Sequence, residues 1–164
     1  MSHRTFGATL LACVLTLPFS CNTAHAADND DELHATLLSW AVDLSGLPAP
    51  QQPPLVQHMP HAFFVESACH GHECKVLGWF PPGDTVYVDD RLNPRGTLLA
   101  ASIVVHELVH YLQYRAAAQG LEFSCAQSIA LERQAYGAQR EFITRYGVYR
   151  PVGASMHQVG CEAD

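Results

Sequence analysis

The sequence predicts an α+β domain made of one helix, a small antiparallel sheet and then two long helices. Apolar residues recur at helical spacing over residues 33–44 and form a nearly unbroken run over 103–112. Three short β-prone runs lie between residues 62 and 89, the last two separated by a turn rich in proline and glycine. No internal repeat is present.

Residues 1–26 read as a secretory signal peptide. Arg4 is the positive start, Phe6 to Phe19 the apolar stretch, and Ala24-His25-Ala26 a small-x-small cleavage site. A lipoprotein reading through Cys21 is the weaker alternative, because Pro18-Phe19-Ser20 lacks the aliphatic residue expected three places before the cysteine. No later stretch reaches the roughly 18 apolar residues of a membrane span. The expected mature chain, 27–164, is long enough for one domain with a modest core and is addressed to the periplasm or the exterior. It carries 8 basic against 16 acidic side chains, a net charge of −8 with histidine neutral. Such a surface argues against nucleic acid or an anionic membrane as partner and leaves a peptide or protein substrate open. Nothing in the sequence sets the oligomeric state.

The acidic stretch Asp28 to Glu32 suits a helix N-terminus, and Leu33, Leu37, Leu38, Ala41 and Leu44 follow on one face up to a stop at Gly46. Leu47 to Pro60 contains five prolines and no period, which predicts a surface linker too proline-rich for a central strand. Ala62–Ser67, Lys75–Phe80 and Thr85–Asp89 read as three strands, the last two joined by the turn Pro81-Pro82-Gly83-Asp84. The next helix is expected to open near Asn93-Pro94 and to stop near Gln119-Gly120. Ser124 with Gln127 forms a capping box, so the last helix should run from Cys125 to about Tyr146, antiparallel to its predecessor. Residues 147–164 form a tail without helical period.

Within the run 103–112, the strongly polar side chains are His106, Glu107 and His110, which spell His-Glu-x-x-His. Two imidazoles four residues apart differ by about 40° around a helix axis, so both reach one ion on one face. Ionisable groups on a helix that is apolar almost all round cost several kcal/mol each unless paired or metal-bound. A catalytic zinc needs two such nitrogens, a third ligand, and a carboxylate beside the position where water binds. Glu132 qualifies as the third. Climbing the first helix from His110 and descending the second to Glu132 covers about 12 Å and about 10.5 Å, which returns the carboxylate to the level of the histidines.

His106-Glu107-x-x-His110 followed by Glu132-x-x-Ala135-Tyr136 resembles the gluzincin group of zinc metallopeptidases, over roughly residues 84–146. The resemblance implies a minimal single-domain zincin-like fold, zinc held by His106, His110 and Glu132, and Glu107 as general base. Many gluzincins carry an aspartate four residues after the ligand glutamate to orient a ligand histidine, whereas this chain has Tyr136. It further implies that Thr85–Asp89 is the edge strand that lines the cleft. The plainer reading of that strand is a half-buried one with Val86 and Val88 in the core. Tyr136, Tyr149 and His157 are candidates for the donor that stabilises the oxyanion, and the tail could cover the cleft with His157 or its terminal carboxylate at the metal. The function expected is a secreted or periplasmic zinc endopeptidase, and the alternative is a non-catalytic zinc-binding protein using the same helix pair.

Four cysteines follow the leader, and three pairings are open. Export favours disulfides, with Cys69 to Cys74 closing a short loop and Cys125 to Cys161 tying down the tail. Cys69-His70-Gly71-His72-Glu73-Cys74 also has the composition of a small metal site. His58, His61, His70 and His72 read as loop or surface residues, and Tyr111, Tyr114 and Tyr146 as packing residues.

Overall fold

The computed structural model describes residues 24–117 and 123–161, with side chains described from residue 30 onward. Helix α1 (Ala24–Ser45) is followed by β1 (Leu55–Met59), α2 (His61–Ser67), β2 (Gly78–Trp79) and β3 (Thr85–Asp89). Helices α3 (Leu98–Ala116) and α4 (Cys125–Arg145) complete the domain, and a 3-10 turn (Ala154–His157) lies in the tail. The expected leader lies outside the described residues except for its last three, whose backbone is helical; the expected helix stop at Gln119-Gly120 lies outside them too. No helix among the described residues is long and apolar enough to cross a membrane.

The α+β class holds, but the sheet is mixed rather than antiparallel. Its order is β1-β3-β2, with β1 parallel to β3 in the register Leu55↔Thr85 to Met59↔Asp89, and β2 antiparallel to β3. The correction comes from the proline-rich linker. Between Pro54 and Pro60 five proline-free residues form β1, and they sit at an edge, the place where flanking prolines are tolerated. Residues 60–84 then give the long crossover that parallel pairing needs.

That crossover contains the second correction, since Ala62–Ser67 is helix and not strand. Four apolar and aromatic residues followed by Glu66 and Ser67 have no decisive period. Pro60 precedes the first turn in extended conformation, its carbonyl accepts from Phe63 N–H, and the helix buries Phe64. His61 does not lie free on the surface: its Nδ1 is 2.8 Å from Asp89 Oδ2 and its Nε2 is 3.2 Å from the Cys74 carbonyl oxygen. Of Lys75–Phe80 only Gly78–Trp79 pairs as strand. Helix α3 also starts later than expected. Asn93 to Gly96 closes a turn in which the Gly96 N–H meets the Asn93 side chain and carbonyl, and Thr97 caps the helix by accepting from Ala100 N–H.

The core lies around α3, which is covered by the sheet, α1 and α4 together. Leu37 and Ala41 from α1, Val86 and Val88 from β3, and Ala135, Phe142 and Ile143 from α4 enclose Val104, Val105, Leu108, Val109 and Leu112. Helix α4 begins where the sequence places it, at a capping box in which Ser124 and Gln127 satisfy each other's backbone N–H groups. Cross-contacts run Gln113 to Leu131, His110 to Glu132 and Ser102 to Gln139, a descending-ascending order that shows α3 and α4 to be antiparallel. The disulfides are Cys69–Cys74 and Cys125–Cys161.

Candidate metal centre

Helix α3 carries its polar residues where its apolar cover opens onto a cleft of about 760 Å³. His106 and Glu107 are each only 7% exposed. The two imidazoles turn their Nε2 atoms toward each other at 3.1 Å, and the Glu132 carboxylate from α4 spans both, with Oε2 3.5 Å from His106 Nε2 and Oε1 3.4 Å from His110 Nε2. One ligand atom from each of the three residues falls within 4.8 Å of the others, and the trio could hold a metal ion.

A chain of hydrogen bonds sets the tautomer of His110. The Gln113 side chain donates through Nε2 to the Leu131 carbonyl and to Gln134 Oε1, so its own Oε1 must face His110 Nδ1, 2.8 Å away. Nδ1 therefore carries the proton and donates, leaving the Nε2 lone pair for a metal. His106 is different. Its Nδ1 is buried without a hydrogen-bond partner, and Tyr136 packs against its ring edge to face, with centroids 4.4 Å apart. The position that could have supplied a carboxylate supplies an aromatic ring instead.

Electrostatics separate the two glutamates. Burial pushes the Glu107 carboxyl up and the negative charge of Glu132 adds to this, while His106, His110 and the Phe80 backbone N–H oppose the rise. Burial also pushes Glu132 up, but hydrogen bonds and charge from both histidines overcome it and hold the carboxyl well below the usual range. Desolvation lowers His110, and its contacts with Glu132 and the charge of Glu107 more than offset that, so the net movement is upward. Burial and the nearby Glu132 and Glu107 charges raise the Tyr136 phenol, which keeps its proton at neutral pH.

The strand beside the site is β2, not β3. Thr85–Asp89 is central, paired on both sides, with Val86 and Val88 fully buried, so the plainer reading of that strand holds. The Asp89 N–H bonds the Leu77 carbonyl, which turns the backbone groups of 77 and 79 toward β3 and those of Gly78 and Phe80 toward the open edge. Gly78 is needed there, because a Cβ would lie 2.7 Å from both Cγ and Oε1 of Glu107.

The structure thus brings together His106, Glu107, His110, Glu132 and Tyr136, all lining one cleft. His157 is exposed in the 3-10 turn and Tyr149 is 83% exposed, and neither lines it. Among the described tail residues none lines the cleft, so His157 does not cover the site; the terminal carboxylate, the other candidate for that role, lies outside the described residues. Two contributors escaped that reading, Gln113 and Gly78. Gln113 had a signal, being polar and one turn beyond His110 on the same face; Gly78 had one too, a lone glycine inside a predicted strand, which marks the close approach of another group without saying which. No known protein family, curated protein or solved structure matches this chain.

Proposed function

We propose that this protein is a zinc-dependent endopeptidase acting in the periplasm or outside the cell. The observation that carries the reading is the division of labour between the two glutamates: Glu132 spans both imidazole Nε2 atoms, while Glu107 stays outside the trio, buried against Gly78. Two nitrogens and one carboxylate suit zinc, and three protein ligands with an open side are the pattern of catalytic sites, where structural sites have four. The two disulfides support an oxidising compartment.

Zinc bound there would supply Lewis-acid polarisation of the scissile carbonyl and a water acidified toward neutrality. The chain's own residues do the rest. Glu107, with a raised proton affinity, takes the proton of the attacking water and delivers it to the leaving amine. Tyr136, still protonated at neutral pH, donates to the oxyanion. The open edge of β2 offers Gly78 backbone groups to an extended peptide, which enters as an added strand.

The test is Glu107→Gln. It should retain zinc at parental stoichiometry and lower kcat against a peptide library by about 10²- to 10⁴-fold. A variant that cleaved as well as the parent would end this mechanism. One observation favours a second reading, a metal-binding protein without turnover: His106 Nδ1 lacks the acceptor that would orient it. Cobalt substitution separates the two, since a spectrum of four protein ligands with no exchangeable water belongs to the second alone.

A further inference from the structure

We propose that the tail from Val148 to Cys161 is a brace that seats Tyr136 against His106, with Gly153 as the positioning residue at the contact. Its consequence for catalysis rests on the peptidase reading above; the brace itself does not.

Tyr136 meets two neighbours from different elements. One is the His106 ring, 4.4 Å away between centroids. The other is the backbone of Gly153, so close that a Cβ there would overlap Tyr136 Cγ and stand 2.5 Å from its Cβ and 2.6 Å from Cδ1. These are the root of the tyrosine side chain and not its flexible end, so nothing small can swing away. Gly153 also has φ +68°, the left-handed region that glycine enters without steric cost. Both the conformation and the contact exclude a side chain.

The tail is fastened to α4 on either side of Tyr136. Arg140 donates to the Val152 carbonyl at 3.0 Å, Arg133 donates to the Met156 and Val159 carbonyls at 3.2 and 3.3 Å, and Cys161 is bonded to Cys125. Positions 125, 133, 136 and 140 lie within about 80° of one another around a helix. The tail therefore runs along the helix face that carries Tyr136, and its fastenings press Gly153 onto that residue. A cover serving only to shield α4 would not need its backbone in contact with the tyrosine ring that packs on His106.

The experiment follows the His106 ring protons by NMR in histidine-labelled protein without added metal. Tyr136→Leu calibrates the ring-current shift that the tyrosine imposes. Gly153→Ala should move the His106 resonances most of the way toward that calibrating position. Gly160→Ala should leave them in place, because a Cβ at 160 meets open space. Unmoved resonances in Gly153→Ala overturn the proposal, and so does an equal movement in Gly160→Ala. If Gly153→Ala does not fold, Cys125→Ser/Cys161→Ser decides: release of the anchor should move the same resonances, and an unmoved spectrum overturns the brace. With zinc and peptide, Gly153→Ala and Tyr136→Phe should each lose kcat by about 10²-fold, with KM and zinc affinity near parental. Resonances that move as expected in a protein whose parent hydrolyses no peptide would retain the brace and overturn the peptidase reading.

Discussion

At the scale of single residues, the two histidines of the site are supported unequally. His110 has its proton fixed on Nδ1 by Gln113, and Gln113 is itself fixed by Leu131 and by Gln134, whose Nε2 reaches back to the Ser45 carbonyl at the end of α1. His106 has no such support. The geometry of the metal site thus depends on an uncharged amide in a place where a carboxylate would be the stronger orienter. Gln113→Met, close in volume but unable to accept, should weaken zinc binding by about 10- to 100-fold in competition with a chromogenic chelator. Parental affinity in that variant would show that Gln113 only links α3 to α4. Gln113→Glu is the complementary case: it keeps the acceptor for Nδ1 but places a carboxylate against the Leu131 carbonyl and Gln134 Oε1, so it should recover part of the affinity at a cost in thermal stability.

At the scale of elements, the cleft is built by the close approach of β2 to α3, and Gly78 makes that approach possible. Gly78→Ala should displace the Glu107 carboxylate while leaving His106, His110 and Glu132 in place. Zinc content should stay at parental level and kcat should fall by more than 10-fold, an outcome read by metal analysis and steady-state kinetics on the same sample; a fall in zinc content would place the damage in the ligand trio instead. The long helices and the grouping of His106, His110 and Glu132 were legible in the sequence because their signals are local. Leu33 to Leu44 and the run 103–112 have a period, Ser124 and Gln127 form a cap, and helical rise alone carries Glu132 back to His110. The sheet was less legible. β1 hides in a proline-rich stretch, α2 is too short to show its period, and which strand forms the edge depends on pairing partners distant in the chain. The contact between Gly153 and Tyr136 has no sequence signal, since a loop glycine looks the same whether it faces solvent or a ring.

At the scale of the whole molecule, one buried carboxylate joins the parts that hold the cleft wall. Asp89, at the end of β3, is fully buried; it accepts from Arg91 at 2.6 and 2.7 Å and lies 2.8 Å from His61 at the start of α2. Its backbone N–H binds the Leu77 carbonyl, and His61 reaches the Cys74 carbonyl, so the segment leading into Gly78 is fastened at two points. The hydrogen bond from Arg91 is the main cause that holds the Asp89 carboxyl at about 2, against burial that pushes it up from 3.8. A carboxyl depressed in the folded state stabilises the fold wherever it is ionised in both states. Its contribution of about 2 kcal/mol is complete above about pH 4, shrinks as pH falls toward 2, and is lost below that. Asp89→Asn removes it at every pH. In urea titrations the gap in unfolding free energy between parent and Asp89→Asn should therefore be larger by about 2 kcal/mol at neutral pH than near pH 2. The metal centre is common to both proteins and drops out of the difference. A gap that stayed constant from neutral pH to pH 2 would mean that Asp89 holds the wall by shape and neutral hydrogen bonds alone. A gap that closes in acid would mean that its charge fastens the edge strand against which Glu107 is set.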